Sequence, residues 1–302
     1  MLERDQSWRD RMRKTISVLC AAGRLCVVSA PVVGVVGVLG AMGSSLSGCG
    51  LVGMDPTFKA AKDASVPQEK AKALYVDSEN GSIEIVQAEG DKVTIHADIQ
   101  GKTQDRADKA AIVATRDTDG ALHVSVKWPD GKRQNNEGAA LVVKIPDASD
   151  VHVHTTNGNV TCKNIGVKGD LSTDNGSVKV WAMPGELKAS TINGNVELVD
   201  VPSAHASTVN GSVNVTLSDA PSGPVTCETT NGSVTLFVPA AFNQTLDCQT
   251  TNGAVKCEAP GAKTTQAGKT HVVCVFGAGE HKGSLETTNG SVYVKAKVAE
   301  KK

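Results

Sequence analysis

The chain has 302 residues and a formal net charge of −1, with 31 Lys and Arg against 32 Asp and Glu. This near-neutral balance excludes the broad basic surface of a typical nucleic-acid-binding protein, so no nucleic-acid partner is expected. Only 3% of the residues are aromatic whereas 30 are Gly, which disfavours a large globular core and favours a narrow core with many turns.

A signal for export is predicted at the N-terminus. A net positive start precedes an apolar, small-residue stretch from Ile16 to about Met42, and this order is typical of secretory signals, which take no part in the mature fold. The stretch ends in Leu46, Ser47, Gly48 and Cys49, which resemble the lipobox of bacterial lipoproteins. The resemblance implies that the signal peptide is cut off before Cys49, that the Cys49 thiol carries a diacylglycerol, and that the new amine is acylated (palmitate).

Several acyl chains on Cys49 would anchor the protein firmly to a membrane. An uncleaved transmembrane helix is the alternative, but Arg24 and Pro31 interrupt the apolar stretch and its Gly residues weaken a helix. Because Gly50 rather than Asp follows Cys49, the lipoprotein sorting rule favours the outer membrane if the cell has one. Met12 begins a more typical signal, so we hypothesise that translation starts there; full production after replacement of Met12 would contradict this.

The segment between the lipid and the repeats is predicted to be a tether followed by a strand-rich opening. Residues 50–72 are polar and rich in Lys and Ala, which suits a tether with at most a short helix. Lys92–Ile99 and Ala121–Lys127 alternate as strands do. Trp128-Pro129-Asp130-Gly131 is a turn signal, and residues 130–138 form a charged loop. We expect this opening to cap the first coil, because repeat arrays need polar ends.

The strongest internal signal is a recurring Thr-x-Asn-Gly motif, with Ser replacing Thr in the first copy. From Asn157 to Asn252 successive Asn residues are 18, 18, 17, 21 and 21 residues apart, and the last gap, of 37, is close to two units. A nearly fixed period predicts a repeat architecture. The predicted repeat corners are Asn80, Gly81, Asn157, Gly158, Asn175, Gly176, Asn193, Gly194, Asn210, Gly211, Asn231, Gly232, Asn252, Gly253, Asn289 and Gly290.

Each repeat alternates between apolar and polar residues on both sides of the motif. Apolar residues stand four before the Asn, three after it and five after it, as Leu171, Val178 and Val180 do around Asn175. The intervening residue Lys179 is polar, as are most of its counterparts. Such alternation predicts strands with one buried face, and the fold class is therefore predicted to be all-β.

Two all-β architectures fit this pattern. Asn-Gly between alternating strands is a strong hairpin signal, because both residues tolerate positive φ, and it would build an antiparallel β-meander or sandwich. In a β-solenoid the same pair makes a corner in each coil, the coils stack about 4.8 Å apart, and the Asn side chains hydrogen-bond along a ladder. A hairpin does not require an identical Thr two residues before each Asn, which favours the parallel β-helix-like solenoid.

Residues from about Leu74 to Val298 resemble a family of bacterial envelope proteins that carries the label adhesin and has a domain of unknown function. In this family a Val-x-Val-Pro-like strand precedes coils of the form x-T-x-N-G-x-V-x-V. Here Leu141–Pro146 precedes Val151–Val160, and Gly277–Gly279 leads into Ser284–Val292. The resemblance implies a repeat β-solenoid related to pectate-lyase-type helices, and the label adhesin does not imply a demonstrated activity.

Five cysteines remain after Cys49, namely Cys162, Cys227, Cys248, Cys257 and Cys274. Export permits disulfides, and Cys227 and Cys248 hold the same position in consecutive repeats. In-register neighbours would lie about 4.8 Å apart, within the range of disulfide Cα separations, so we hypothesise a Cys227–Cys248 bridge. Buried thiols that act as small core residues are the slightly preferred alternative. No Cys-x-x-Cys occurs, and no metal site is expected.

No catalytic centre and no cofactor are predicted. The related lyase and hydrolase solenoids act through carboxylate clusters on the outer face of adjacent coils, so the outward positions of each repeat were compared. Those five before the Asn are His152, Asp170, Lys188, His205, Thr226 and Asp247, and those three before it are His154, Ser172, Ser190, Ser207, Glu228 and Gln249. No Asp pair is adjacent, no carboxylate cluster can be placed, and the two His residues suit a solvated strand face.

The sequence therefore predicts a non-catalytic cell-envelope lipoprotein that presents a repeat β-domain for binding or adhesion. Its partners would be the membrane, through the lipid, and an envelope protein or polysaccharide. A structural or self-associating component is the alternative, because solenoid ends are open sheet edges; a carbohydrate-active β-helix enzyme is less favoured. The predicted organisation is a signal peptide (1–48), a lipidated Cys with its tether (49–73), a strand-rich opening or cap (74–150), a repeat β-solenoid (151–298) and a charged tail (299–302).

Overall fold

The computed structural model describes residues 57–298; the signal peptide, the lipobox with Cys49 and the charged tail lie outside this range. The described part is all-β, and its two sheets, of 12 and 11 strands, enclose one apolar core. The predicted β-solenoid is confirmed, because neighbouring repeats pair in parallel and not as hairpins. Within residues 57–298, no helix is both long and apolar enough to cross a membrane.

The strands are short, and they follow one another closely along the chain. One short helix, α1 (Gln104–Lys109), and a 3-10 turn at Pro129–Gly131 interrupt them. The strands are β1 (Phe58–Pro67), β2 (Leu74–Asn80), β3 (Ile83–Gln87), β4 (Lys92–Gly101), β5 (Ala111–Arg116), β6 (Leu122–Lys127), β7 (Gly138–Ile145), β8 (Asp150–Asn157), β9 (Val160–Lys163), β10 (Lys168–Asn175), β11 (Val178–Trp181), β12 (Leu187–Asn193), β13 (Val196–Val201), β14 (Ala204–Asn210), β15 (Val213–Leu217), β16 (Val225–Asn231), β17 (Val234–Val238), β18 (Gln244–Asn252), β19 (Val255–Cys257), β20 (Lys263–Gln266), β21 (His271–Val275), β22 (His281–Asn289) and β23 (Val292–Ala296).

Each repeat forms one coil that contributes a strand to each sheet. The strand that ends at the Asn of the motif lies in the 12-stranded sheet, here named the Thr sheet, and the strand after the Gly lies in the 11-stranded Val sheet. In one coil Leu171 and Thr173 are buried and Asp170 is exposed, and after the corner Val178 and Val180 are buried. The alternation therefore directs every second side chain into the core, as the pleat of a strand requires.

The Thr of each motif ties its coil to the next one. These Thr side chains are buried. Each Oγ1 donates a hydrogen bond of 2.8–3.1 Å to the Gly carbonyl of the adjacent coil that lies nearer the N-terminal end of the stack; for Thr250 this Gly is Gly290, which comes later in the chain. Thr191, for example, donates to the carbonyl of Gly176 at 2.8 Å. A β-branched residue with a hydroxyl suits this position, because it fits a strand and also reaches the neighbouring corner.

Replacing Thr191 with Val tests this hydrogen bond. We expect Thr191→Val to lower the free energy of unfolding by about 1–2 kcal/mol, because Val keeps the shape of the side chain and removes the donor to Gly176. Thr191→Ser keeps the hydroxyl and should lose less. Denaturant unfolding measures both variants, and a smaller loss for Thr191→Val than for Thr191→Ser would show that the methyl group, and not the hydrogen bond, is what this position needs.

The Asn and the Gly of the motif line up at the same corner. Asn175 Nδ2 donates to Asn157 Oδ1 at 3.0 Å, and the following Asn residues repeat this contact at 2.8–2.9 Å. A Cβ atom added to Gly176 or Gly194 would lie 2.0 or 1.9 Å from the carbonyl oxygen of the neighbouring Gly. At these two positions the close approach of the backbones therefore requires Gly, since their φ is not in the left-handed region.

The N-terminal end corrects the predicted organisation in two places. Part of the predicted tether is strand β1, which pairs antiparallel with β4. Its Ala60, Ala64 and Val66 pack against the core. Because these inward residues are small and alternate with residues such as Lys and Ser, the sequence gives only a weak indication of a strand. The first motif copy, Ser78–Gly81, was assigned to the cap, but it lies in a true coil, with Asn80 paired to Asn157.

The cap at this end is itself coil-like. Strands β6 and β7 pair in parallel with β2 and β3, although they come later in the chain. Strands β1, β4 and β5 complete the cap by antiparallel pairing. The predicted strands Lys92–Ile99 and Ala121–Lys127 correspond to β4 and β6. The chain thus passes outward from the first coil and returns before it continues into the repeats.

A buried ion pair holds the cap together. The Glu137 carboxylate has no exposed surface and accepts hydrogen bonds from Arg106 Nε at 2.6 Å and Nη2 at 2.9 Å. It also accepts from the backbone N–H groups of Lys102 and Gln134. The Arg106 hydrogen bonds lower the pKa of Glu137 to about 2, against the opposing effect of burial. Arg106 lies on α1, so this pair joins the helix to the loop before β7.

At the C-terminal end, the gap of 37 residues between Asn252 and Asn289 does not contain two repeat units. The chain between Cys257 and His281 lacks the motif and folds instead into a hairpin of β20 and β21, which ends the Thr sheet. The last coil, β22 with β23, lies between the coil of β16 and β17 and the coil of β18 and β19. The spatial order of the coils therefore differs from their order in the chain at this end too.

Candidate binding face and groove

The outward side chains of the Thr sheet form straight rows, because neighbouring strands pair residue for residue. One row contains His123, Tyr75, His152, Asp170, Lys188, His205, Thr226, Ser284 and Asp247, in this spatial order. The adjacent row contains Asp77, His154, Ser172, Ser190, Ser207, Glu228, Glu286, Gln249 and His271. Together the rows present a continuous polar face.

Three stacked rings occupy the N-terminal end of the first row. Tyr75 lies between His123 and His152, with ring centroids 4.7 and 4.5 Å apart and interplanar angles of 5°. Each His also pairs with a carboxylate at 3.3 Å, His123 with Asp117 and His152 with Asp150. The spacing of parallel strands, about 4.8 Å, suits such stacking. Both faces of the Tyr75 ring are used within the protein.

The insertion of β22 brings together two carboxylates that are distant in the chain. Glu228 and Glu286 are direct partners across β16 and β22, and Ser284 Oγ donates to Glu286 Oε1 at 2.8 Å. Burial, and then the charge of Glu286, raises the pKa of Glu228, while His205 lowers it. The expectation that no carboxylate cluster can be placed across these rows assumed that coils stack in chain order. The inserted strand β22 places Glu286 beside Glu228, whereas no two Asp residues are neighbours in either row.

A groove opens where the Thr sheet splits. Strand β6 pairs with β2 only along Leu74–Val76, so the two strands separate beyond Val76. The resulting cavity of about 320 Å³ is within the size range of ligand sites. We name it the Trp128 groove; its lining residues are Asp77, Ser78, Glu79, Asn80, Ser125, Val126, Trp128, Arg133, Ala139, His154 and Thr156.

The Trp128 groove combines an indole with charged and hydrogen-bonding side chains. Arg133 Nε pairs with Glu79 Oε2 at 2.7 Å, and the Glu79 side chain is 67% exposed. His154 Nδ1 lies 3.0 Å from Ser172 Oγ, and Asp77 is exposed. The groove therefore offers donors and acceptors beside apolar surface, the mixture that polar organic ligands require.

A second groove lies on the outer side of the Val sheet, across β1, β4 and β7. Its volume is about 390 Å³, and the polar side chains that line it include Asp63, Thr94, His96 and Lys144. A hydrogen bond of 2.8 Å to Asp63 raises the pKa of His96. This groove contains no aromatic carbocycle, so it offers less apolar surface for a ligand than the Trp128 groove.

The structure separates the cysteines that were expected to form a bridge. Cys227 and Cys248 both pair with Leu285 of β22, on opposite sides, so they lie two strand spacings apart, about 9.6 Å. This separation exceeds the limit for a disulfide, about 7 Å, and both thiols are buried. The hypothesised Cys227–Cys248 bridge is therefore wrong. Burial raises the pKa of Cys162 to about 12, as expected of a thiol inside a core.

The remaining site residues fall into two groups. The corner Asn and Gly residues lie in one line along the edge between the two sheets, where they join coils and have no catalytic partner among their contacts. The lipobox and Cys49 lie outside the described residues. In the part of the chain from 57 to 298, no three His, Cys, Asp or Glu side chains are grouped so that they could hold a metal ion.

Comparison with known proteins identifies the repeats. The profile of the Toastrack DUF4097 family matches residues 148–295, and no curated protein sequence matches the chain. A candidate adhesin of Bacteroides fragilis NCTC 9343 is 15% identical, with 78% of this chain and 97% of that protein covered at a TM-score of 0.38. A candidate cell adhesion protein of Clostridium sporogenes ATCC 15579 is 13% identical. The match covers 79% of this chain and 100% of that protein, at a TM-score of 0.33.

These solved structures share too little with the chain to carry an argument about what it binds. The match of the family profile covers every coil from β8 onward, including the inserted coil of β22 and most of β23. It also agrees with the parallel stacking and the recurring corners described above. The repeat region of this chain belongs to the Toastrack DUF4097 family.

Proposed function

We propose that the protein is a non-catalytic lipoprotein of the cell envelope, exported and held to a membrane through Cys49, and that it binds an envelope polysaccharide. In a cell with two membranes, Gly50 after the lipidated Cys49 favours the outer one. The Trp128 groove would form the binding surface. The lipid and the tether would keep this surface at the membrane.

The observation that carries this proposal is the chemistry of the Trp128 groove. It is the place where the regular Thr sheet opens, and it brings an indole, a guanidinium, an imidazole and carboxylates to one cavity. A polysaccharide offers hydroxyl groups to such donors and acceptors. The indole of Trp128 is only 9% exposed, so it supplies apolar lining to the groove and not a free face for a sugar ring.

The sheet edges argue against self-association as the main role. A free edge strand tends to pair with another chain unless charges or Pro protect it. In the Val sheet the edge strand β1 carries Lys59, Lys62 and Asp63 and ends at Pro67, and the opposite edge strand β19 has only three residues. In the Thr sheet the edge strands are β20, which begins at Lys263, and β5. Charges, Pro67 and the short β19 protect the Val sheet from pairing with another chain, which favours a ligand other than a second copy.

Retention on immobilised polysaccharides tests the proposal. We expect the purified protein to be retained saturably by one polysaccharide, and the double variant Asp77→Ala, His154→Ala to bind at least about tenfold more weakly, a loss of roughly 1.4 kcal/mol. The matched control is Asp170→Ala, His205→Ala, which removes the same residue types from the same face, away from the groove, and should bind like the unchanged protein.

Three outcomes would count against this reading. Equal weakening by both double variants would move the binding surface from the groove to the whole face. Retention only by envelope proteins or by peptidoglycan peptides would replace the polysaccharide with a protein partner. Absence of retention on every envelope component would contradict a binding function, and the protein would then be a structural part of the envelope.

A further inference from the structure

Two cysteines other than the pair expected from the repeat meet at the C-terminal end of the solenoid. Cys257 is the last residue of β19, the strand at the edge of the Val sheet. Cys274 lies in β21, in the hairpin that ends the Thr sheet. The two residues therefore belong to different sheets, and a connection between them would join the last coil to its cap.

The backbone holds β19 against the segment that leads into β21. The N–H of Val255, in β19, donates to the carbonyl of Lys269 at 2.9 Å, and the N–H of Thr250, in the preceding strand β18, donates to the carbonyl of Thr270 at 2.9 Å. On its other side, β19 pairs with β23, with Cys257 beside Val294. These bonds fix the strand that carries Cys257 next to the beginning of the strand that carries Cys274.

Both thiols point into the same end of the core. Cys274 has no exposed surface, and Cys257 is half-buried against the same apolar cluster. The two thiols are near enough to hydrogen-bond to each other. This hydrogen bond lowers the pKa of Cys274 and raises that of Cys257, so the pair favours a thiolate on Cys274, the form that attacks disulfides.

The other buried thiols do not have such a partner. Cys162 and Cys227 lie in separate interior coils. Cys248 is closer to Cys274, because their strands β18 and β21 are neighbours. The two cysteines are not direct partners, since Cys274 pairs with Leu246 and Cys248 pairs with Val272. This diagonal arrangement places the Cα atoms of Cys248 and Cys274 about 7–8 Å apart, at the limit of what a disulfide spans.

We propose that Cys257 and Cys274 form a disulfide that ties the edge strand of the Val sheet to the hairpin ending the Thr sheet. In the cell this bond requires an oxidising compartment, so its formation there rests on the export included in the proposed function. Its role is structural: it closes the C-terminal end of the solenoid, where β19 has only three residues to pair with β23.

The reaction is thiol–disulfide exchange with a small-molecule or protein disulfide as oxidant. The half-buried Cys257 is the thiol of the pair that an oxidant can reach; it gives its proton to the neighbouring Cys274 thiolate and attacks one sulfur of the oxidant. This breaks the oxidant's S–S bond, and the released thiolate takes the proton from Cys274 and leaves as one thiol. The Cys274 thiolate then attacks the Cys257 sulfur and releases the second thiol. The protein loses two protons and two electrons, and the oxidant takes them up and is reduced to two thiols.

Peptide mapping of the full chain tests the bond directly. The protein is produced in an exporting bacterial host, free thiols are blocked with N-ethylmaleimide at lysis, and trypsin is used without reductant. Cleavage after Lys256, Lys263, Lys269 and Lys282 separates the two cysteines. We expect the peptide Cys257–Lys263 linked to the peptide Thr270–Lys282, and both released by reductant. Thr270–Lys282 linked instead to Ala189–Lys256, which contains Cys227 and Cys248, would assign the partner to one of these two cysteines and overturn the proposal.

A second arm separates the pairing from export. Purified, reduced full-length protein is incubated with glutathione disulfide and mapped in the same way. A linked pair in this arm but not in cells would support the pairing and count against export to an oxidising compartment. Both peptides blocked by N-ethylmaleimide in both arms would overturn the proposal while leaving the export and binding proposals untouched.

Thermal unfolding provides a readout that does not depend on digestion. Reductant should lower the Tm of the oxidised protein by about 5 °C or more, from the loop that the bond closes and the size of the described domain. Cys257→Ser should unfold at one Tm with and without reductant. The matched control Cys227→Ala, which removes a core thiol elsewhere, should remain sensitive to reductant. A Tm of the unchanged, oxidised protein that does not respond to reductant would contradict a structural role.

Discussion

Replacing Gly194 with Ala should lower the free energy of unfolding by about 3 kcal/mol or more, a large effect for the addition of one methyl group. The added Cβ would lie 1.9 Å from the carbonyl oxygen of Gly176 and 2.5 Å from its carbonyl carbon. Both are backbone atoms of a strand connection that is itself bonded to further coils, so they cannot move aside individually. The corner would have to separate from the adjacent coil, which would weaken the Asn and Thr contacts there.

A second Gly variant separates this clash from the cost of backbone conformation. Gly261 has a φ of +82°, and a Cβ there would meet nothing within 4 Å. Gly261→Ala should therefore cost only the strain of a left-handed Ala, about 1–2 kcal/mol. Denaturant unfolding measures both variants. A loss at Gly194 no larger than that at Gly261 would mean that the corners can spread, and the close approach would not explain why the repeat keeps Gly.

Replacing Glu137 with Gln should destabilise the protein by about 3 kcal/mol near neutral pH. Gln can accept hydrogen bonds through only one atom, so its amide NH2 group would face one of the donors that now surround the carboxylate. The charge of Arg106 would also lose its partner inside the protein. The loss should fall on the cap, because Glu137 joins α1 to the segment before β7.

The same variant should change how stability depends on pH. The pKa of Glu137 is lowered from 4.5 to about 2 in the folded protein, so its ionisation contributes stability above the unfolded pKa, and this contribution is lost as pH falls from 4.5 towards 2. The difference in unfolding free energy between the unchanged protein and Glu137→Gln should therefore be largest at neutral pH and shrink below pH 4.5.

An exposed ion pair of the same region serves as the control. Glu79 pairs with Arg133 at 2.7 Å, but its side chain is 67% exposed, and surface pairs contribute about 0–1 kcal/mol. Glu79→Gln should thus have a small effect that depends little on pH. If Glu137→Gln and Glu79→Gln were equally stable across the pH range, the buried pair would not be the element that holds the cap.

The solenoid could be predicted from the Thr, but the reason for the Gly could not. An identical Thr before every Asn-Gly has no role in a hairpin, and the structure gives it one, as the donor to a carbonyl in the adjacent coil. The Gly was expected to supply positive φ, yet at Gly194 the limiting factor is a backbone atom of another coil. A contact between residues of different coils is visible only once the stacking is known.

The ends of the solenoid were less predictable than its middle. The Glu228–Glu286 pair exists only because β22 lies beside β16, and no spacing in the sequence reveals such an exchange of order. The charged loop before β7 gave no sign that Glu137 is buried, because its partner Arg106 comes from a distant helix. Strand β1 was missed because its inward residues, such as Ala60 and Ala64, are small and weakly apolar.

The position of β22 and β23 inside the stack affects how the protein can be completed during synthesis. A solenoid whose coils follow chain order can add each coil to the preceding one as it leaves the ribosome. Here β18 and β19 find their parallel neighbours only after residues 281–296 have been made, because that later segment separates them from β16 and β17. Nascent chains that stop before His281 should therefore have a stable amino-terminal array. Beyond β17 they should have a protease-sensitive segment in which β18 can pair with the hairpin strand β21 but neither β18 nor β19 has a parallel neighbour.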